Sequence, residues 1–237
     1  MDPFNFDKFF SPYRETIGDD VSGGASRCEF YSYVIPKLVK RNKNLCVIET
    51  GTMASKDQGA FTLIMADLIK NWTGGKIYSI DISREYSEEC KRLTSNFSDV
   101  IEYVNSDSID FLSKLNNENL DIDLLYLDSH DLDLKDPHPS AAHHLRELGA
   151  IYDSLDKDSI VAVDDNYGPN INVQWLSVNH EGRVVDDELI HTGQNIIGKA
   201  AYIDLFLIAN KWERKTEFDA AAAEKGQFKN VYCYEKK

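Results

Sequence analysis

Five short runs of apolar and β-branched residues, separated by longer amphipathic stretches, constrain this chain more than any other feature. They are LCVIE at 45–49, KIYSID at 76–81, VIEYV at 100–104, IDLLYLD at 122–128 and SIVAVDD at 159–165. Each has the length and composition of a strand buried on both faces. Helix-like stretches at 59–71, 84–95, 107–116 and 139–156 lie between them, several opening on a Ser or Asp suited to an N-cap. Near-continuous apolar strands alternating with helices predict an α/β, doubly wound, mostly parallel sheet with helices on both faces. A further helix is expected near 28–41, bent at Pro36. Residues 1–27 read as an N-terminal extension and 28–237 as one domain. From Tyr167 to Gly198 the pattern lapses amid Gly168, Pro169, Asn170, Gly182 and Gly193, and this long irregular segment is expected to serve function. The runs AYIDLFLIANKW and NVYCYE then read as a helix and a final strand.

The formal charge is -14, from 26 basic and 40 acidic residues, so the average field repels phosphate backbones and anionic lipid surfaces. Neither nucleic acid nor a membrane is an expected partner. Cys28, Cys46, Cys90 and Cys233 are too scattered for a zinc site or a redox pair, and they read as reduced thiols. No apolar stretch approaches the length of a membrane span, and the opening MDPFNFDKFF lacks the basic region of a signal peptide. A cytoplasmic location is expected.

In open parallel sheets, ligands bind beyond the carboxyl ends of the strands. Here those ends carry Glu49, Thr50 and Gly51, then Asp81, then Ser106, Asp107 and Ser108, then Asp128, and finally Asp164, Asp165 and Asn166. Asp81, 22 residues beyond Gly59, is placed to accept hydrogen bonds from the two hydroxyls of a ribose, a reading favoured over that of a cap on the next helix because strand position and turn spacing agree. The turn after the first strand reads ETGTMASKDQGAF and lacks GxGxxG, which disfavours a dinucleotide. A cofactor without phosphate, carrying a sulfonium beside a carboxylate and an amine, fits better, and S-adenosylmethionine has that chemistry.

With VIETGT, YSIDIS and NSDS at these ends, residues 45–212 resemble class I S-adenosylmethionine-dependent methyltransferases, which have a Rossmann-like fold. The resemblance implies that Glu49 and Gly51 border the methionine part of the cofactor, that Asp81 binds its ribose and that Asp107 faces adenine. Thr52, Gly59, Ile82 and Ser108 complete the expected cofactor contacts.

Within the family, LLYLDSHD and IVAVDDN resemble metal-assisted O-methyltransferases of the catechol and macrocin (sugar) types. That likeness implies a magnesium ion on Asp128, Asp164, Asp165 and Asn166. Hard oxygen donors suit such an ion, and three carboxylates at neighbouring strand ends repel one another unless a cation neutralises them. Asp128 and His130 are the expected catalytic residues: His130 could take the acceptor's proton because histidine titrates near neutral pH, whereas Asp131 stands where catechol-type enzymes keep a lysine base, so that lysine's role is not carried over. His138, His143 and His144 read as decoration of a helix, and His180 and His191 lie in the irregular segment, from which either could reach the acceptor. Residues 167–198, with the first 27, are expected to form a mobile cover over that acceptor.

The expected activity is thus methyl transfer to a small-molecule or sugar hydroxyl with metal assistance. Two other readings are a dinucleotide-dependent oxidoreductase, disfavoured by the missing glycine motif, and a non-catalytic cofactor-binding protein of the same fold, against which the intact strand-end acids argue. Homo-oligomerisation is left open.

Overall fold

The computed structural model describes residues 3–17, 24–41, 43–53, 55, 60–118, 120–168, 172–178, 184–192, 196–215 and 230–237. The five apolar runs form the parallel strands β1 (Leu45–Thr50), β2 (Gly75–Asp81), β3 (Ile101–Asn105), β4 (Leu124–Leu127) and β5 (Ile160–Tyr167). Two short segments and the final run, β8 (Ile197–Gly198), β9 (Trp212–Arg214) and β10 (Asn230–Lys236), extend the same sheet in antiparallel fashion. The order is β3-β2-β1-β4-β5-β10-β9, with β8 paired to β5. The chain winds outward from β1 in both directions, so the switch point lies between β1 and β4.

Strand pleating sends successive side chains to opposite faces, and both faces are apolar. Val47, Leu124, Tyr126, Ile160 and Ala162 join one core with α1 (Phe6–Ile17), α2 (Gly24–Lys40) and α3 (Phe61–Leu68). Ile48, Leu125, Leu127, Val161 and Val163 join the other with α5 (Ser108–Leu115), α6 (His138–Ile151) and α7 (Ala201–Ala209). The remaining helix, α4 (Arg84–Leu93), begins at Ser83, whose hydroxyl accepts from the Tyr86 N–H. None of the described helices is long and apolar enough to cross a membrane. No disulfide links the four cysteines; Cys46 lies in β1 and Cys233 in β10, as their apolar surroundings suggested.

Two differences from the sequence reading matter. The helix expected near 28–41 begins at Gly24, and Phe9, Phe10 and Ile17 are buried in the same core as Phe30 and Tyr31, because an aromatic-rich segment gains more by burial than by remaining in water. Within Tyr167–Gly198, β6 (Asn172–Val178) and β7 (Val184–His191) pair as an antiparallel ribbon. Their β-branched content supports strands, and the flanking Gly and Asn residues had masked it. Gly59, Pro169, Asn170, His180, Gly182 and Gly193 lie outside the described residues.

Candidate active site

Beyond the ends of β1, β2 and β3, a cavity of about 180 Å³ is lined by Gly51, Ile80, Asp81, Ile82, Asp107, Ser108, Ser129, His130 and His143. Five of the expected cofactor residues and the expected base are therefore brought together. Asp81 closes β2: one carboxylate oxygen accepts from the Thr52 N–H at 2.9 Å and the other from the Ser83 N–H at 2.7 Å. Burial raises its pKa, with these two N–H groups pulling the other way. Ile82 beside it is 76% exposed, an apolar surface at the mouth of the cavity suited to a flat ring. Asp107 caps α5 by accepting from the Asp110 N–H at 3.1 Å.

Glu49 and Thr52 lie behind the cavity wall rather than on it. Glu49 is 2% exposed, and its Oε2 accepts from the hydroxyls of Thr62 and Ser79, each at 2.7 Å. Burial pushes its pKa up to about 8 despite those bonds.

His143 and Ser129 line the cavity unanticipated. His143 reads as a helix decoration from sequence, but a turn of α6 faces the strand ends. Its Nε2 lies 3.4 Å from both Ser108 Oγ and Glu147 Oε1. Glu147 is fully buried and also accepts from Ser129 Oγ at 2.6 Å. The adjacent His144 is fully buried as well; its Nδ1–H donates to the Ser140 carbonyl at 2.7 Å, and burial drives its pKa down to about 4. His130 is exposed, with Nδ1 at 2.9 Å from the Asp131 carbonyl, so Nδ1 carries the proton and Nε2 the lone pair. His138 pairs instead with the Tyr202 hydroxyl at 2.6 Å beside a separate cavity of about 650 Å³, between α6, β8 and α7, which holds none of the strand-end acids.

Asp128, Asp164 and Asp165 do converge, each offering an oxygen within 4.8 Å of the others. Consecutive strand residues ordinarily point to opposite faces. Here a β-bulge sets Asp164 and Asp165 opposite Val231 alone, and Asp165 adopts a left-handed backbone (φ 56), which turns both acids to one side. Their neighbours are two cations that sequence reasoning missed. Arg27 of α2 donates to Asp164 Oδ2 through Nε at 3.2 Å and Nη2 at 3.0 Å. Lys199, 1% exposed, contacts Asp128 Oδ1 and lies 3.1 Å from Asp165 Oδ2. Burial and the neighbouring acids raise Asp128 to about 7 against the pull of Lys199.

Lys199 is delivered by the residue before it. A Cβ on Gly198 (φ 150) would stand 2.5 Å from the Asp165 carbonyl oxygen, so only glycine allows β8 to lie so close to β5. Asn166, expected as a metal ligand, anchors the same segment: its Oδ1 accepts from the Ala200 N–H at 2.7 Å and its Nδ2 donates to the Val163 and Asp164 carbonyls. It is fully buried, and its amide satisfies backbone groups that need a partner.

A family model described as a methyltransferase domain matches residues 48–166, the span from β1 to the end of β5. The chain belongs to this methyltransferase family. Solved structures of similar fold include the O-methyltransferase from Bacillus cereus in complex with SAH, 13% identical at a TM-score of 0.54, covering 100% of this chain and 93% of that one. Cofactor-bound Rv0187 from MTB is 10% identical at 0.54, covering 97% and 89%. TrmN from Thermus thermophilus is 12% identical at 0.51, covering 98% of this methyltransferase but 53% of that chain. At such identities the likeness concerns the fold. No curated protein sequence matches significantly.

Proposed function

We propose that this methyltransferase transfers a methyl group from S-adenosylmethionine to a hydroxyl of a small molecule or sugar. The observation that carries the reading is the cavity joining Asp81, Ile82, Asp107 and His130: two acids for the polar edge of a nucleoside, an apolar surface for its ring, and a base at the mouth. When bound, the cofactor supplies an electrophilic methyl; the acceptor oxygen bonds to that carbon as the sulfur–carbon bond breaks, sulfur keeping the electron pair. His130 takes the hydroxyl proton on Nε2, with Asp131 holding the ring in the tautomer that leaves this atom basic. The Glu147 network fixes Ser129 and His143 in the wall, so that orientation contributes to the rate.

The net charge of -14 favours a neutral or cationic small acceptor over a nucleic acid. The Mg2+ expectation is not carried into this reading. The triad has suitable donors, yet each of its carboxylates has an oxygen engaged by Lys199 or Arg27, which supply the neutralising charge that motivated an ion.

The test is incubation with S-adenosylmethionine and a panel of polyols, phenols, glycosides and amines, read by mass spectrometry. A mass gain of one methyl on a hydroxyl compound, lost in His130→Ala, is expected. Methylation confined to amines would overturn the hydroxyl assignment.

A further inference from the structure

We infer that this methyltransferase works without a divalent ion, because Lys199 is the resident cation of its acid triad. The inference rests on the methyl-transfer reading above and concerns the same strand ends.

Asp164 has both oxygens engaged: Oδ2 accepts from Arg27 Nε, Arg27 Nη2 and, at 2.7 Å, the Tyr126 hydroxyl, while Oδ1 accepts from the Asp165 N–H at 2.7 Å. An ion drawn to Asp164 would have to displace charge-assisted bonds that are individually stronger than neutral ones. Lys199 Nζ has three acceptors for its three protons: Asp128 Oδ1, the Asp128 carbonyl at 3.3 Å and Asp165 Oδ2 at 3.1 Å. The ammonium lies between the two carboxylates that Arg27 does not hold in direct hydrogen bonds.

Lys199 is also fixed there. Its own N–H donates to the Asp165 carbonyl at 3.4 Å, the next residue is held by Asn166, and Gly198 packs against the backbone of Asp165 and Asn166. With the backbone held and the side chain buried, moving the ammonium away would cost it all three acceptors at once and leave Asp128 and Asp165 without their counter-charge.

Charge opposes an added ion as well. Three carboxylates facing two fixed cations leave at most one negative charge, so a divalent ion entering the cluster would meet Lys199 and Arg27 at short range as like charges. Lowering the acceptor's pKa therefore cannot be assigned to an ion here, and proton removal falls to His130.

Mn2+ alone is the probe, titrated into the full chain and followed by the paramagnetic resonance signal of the free ion. Wild type is expected to show no saturable site, whereas Lys199→Met, with the triad uncovered, gains one saturable site, lost again when Asp165→Asn is added. One saturable ion on wild type that disappears in Asp165→Asn would overturn the inference, and so would a folded Lys199→Met that gains no site. If Lys199→Met does not fold, the wild-type titration and Lys199→Gln, which keeps hydrogen-bond donors but no charge, decide between the same outcomes. Calorimetry with S-adenosylhomocysteine on the same samples tests the cofactor separately. Its failure would retire the methyl-transfer reading while the manganese result still judges Lys199.

Discussion

The Thr52 N–H donates to Asp81 across the carboxyl ends of β1 and β2 at 2.9 Å, so the turn after β1 and the tip of β2 share one carboxylate. Asp81→Ala should remove both that tie and the acceptor for a ribose. Charge-assisted hydrogen bonds are worth about 1.5–3 kcal/mol each, so S-adenosylhomocysteine should bind at least about tenfold more weakly by calorimetry. Unchanged affinity in a folded variant would remove Asp81 from the cofactor site.

Glu49 gives a pH signature. Its folded pKa, about 8, lies above the ordinary 4.5, so the stability it contributes is fully present below about 4.5 and is lost as pH rises through about 8. Glu49→Gln keeps an acceptor for Thr62 and Ser79 but cannot ionise. The variant should gain on wild type steadily across that window, by an amount on the order of a few kcal/mol, in denaturant unfolding at stepped pH. Parallel pH curves for the two proteins would contradict a buried, proton-holding Glu49.

His144 has the opposite sign. Burial lowers its folded pKa from 6.5 to about 4, so stability present above 6.5 is lost as pH falls toward 4. At neutral pH its ring is uncharged, and the 3.9 Å approach to Glu147 is no ion pair. His144→Gln should flatten the acid limb between these values in thermal melts, whereas an unchanged limb would place its origin elsewhere.

Arg27 should matter to stability more than its position near the chain start suggests. With Arg27 12% and Asp164 3% exposed as side chains, Arg27→Ala strands a buried carboxylate, a loss of about 3–5 kcal/mol. Adding Asp164→Asn should restore part of that in urea unfolding. Equal losses in the single and double variants would mean that the charge pair is not the cause.

What the sequence revealed follows from how local each signal was. Strands β1 to β5 were legible because burial on both faces leaves continuous apolar runs, and the acids at their ends stood out against them. Asp81, Asp107 and His130 were found at the cavity by position alone. Arg27 and Lys199 were not, since their partners lie 137 and 71 residues away and no periodicity records such a pairing. For Asn166 the reason is related: an amide beside two acids reads as a ligand until the backbone groups it satisfies are known. His143 escaped because its neighbour His144 and the Pro-rich start of α6 gave no clue to which side of the helix meets the cavity.

Gly51 (φ 81) has room for a hydrogen and nothing larger: an added Cβ would stand 2.4 Å from the carbonyl oxygen of Asp128. The turn that would hold the methyl donor thus rests directly on the backbone of the acid at the other rim of the crevice, with no side chain between them to act as a cushion. The two rims are therefore coupled as a rigid gauge, in which any displacement of the donor loop is passed on to Asp128 and the histidine two residues beyond it. Spacing between donor and acceptor would then be a property of main-chain contact, little affected by substitutions around the cavity and highly sensitive to one at this glycine.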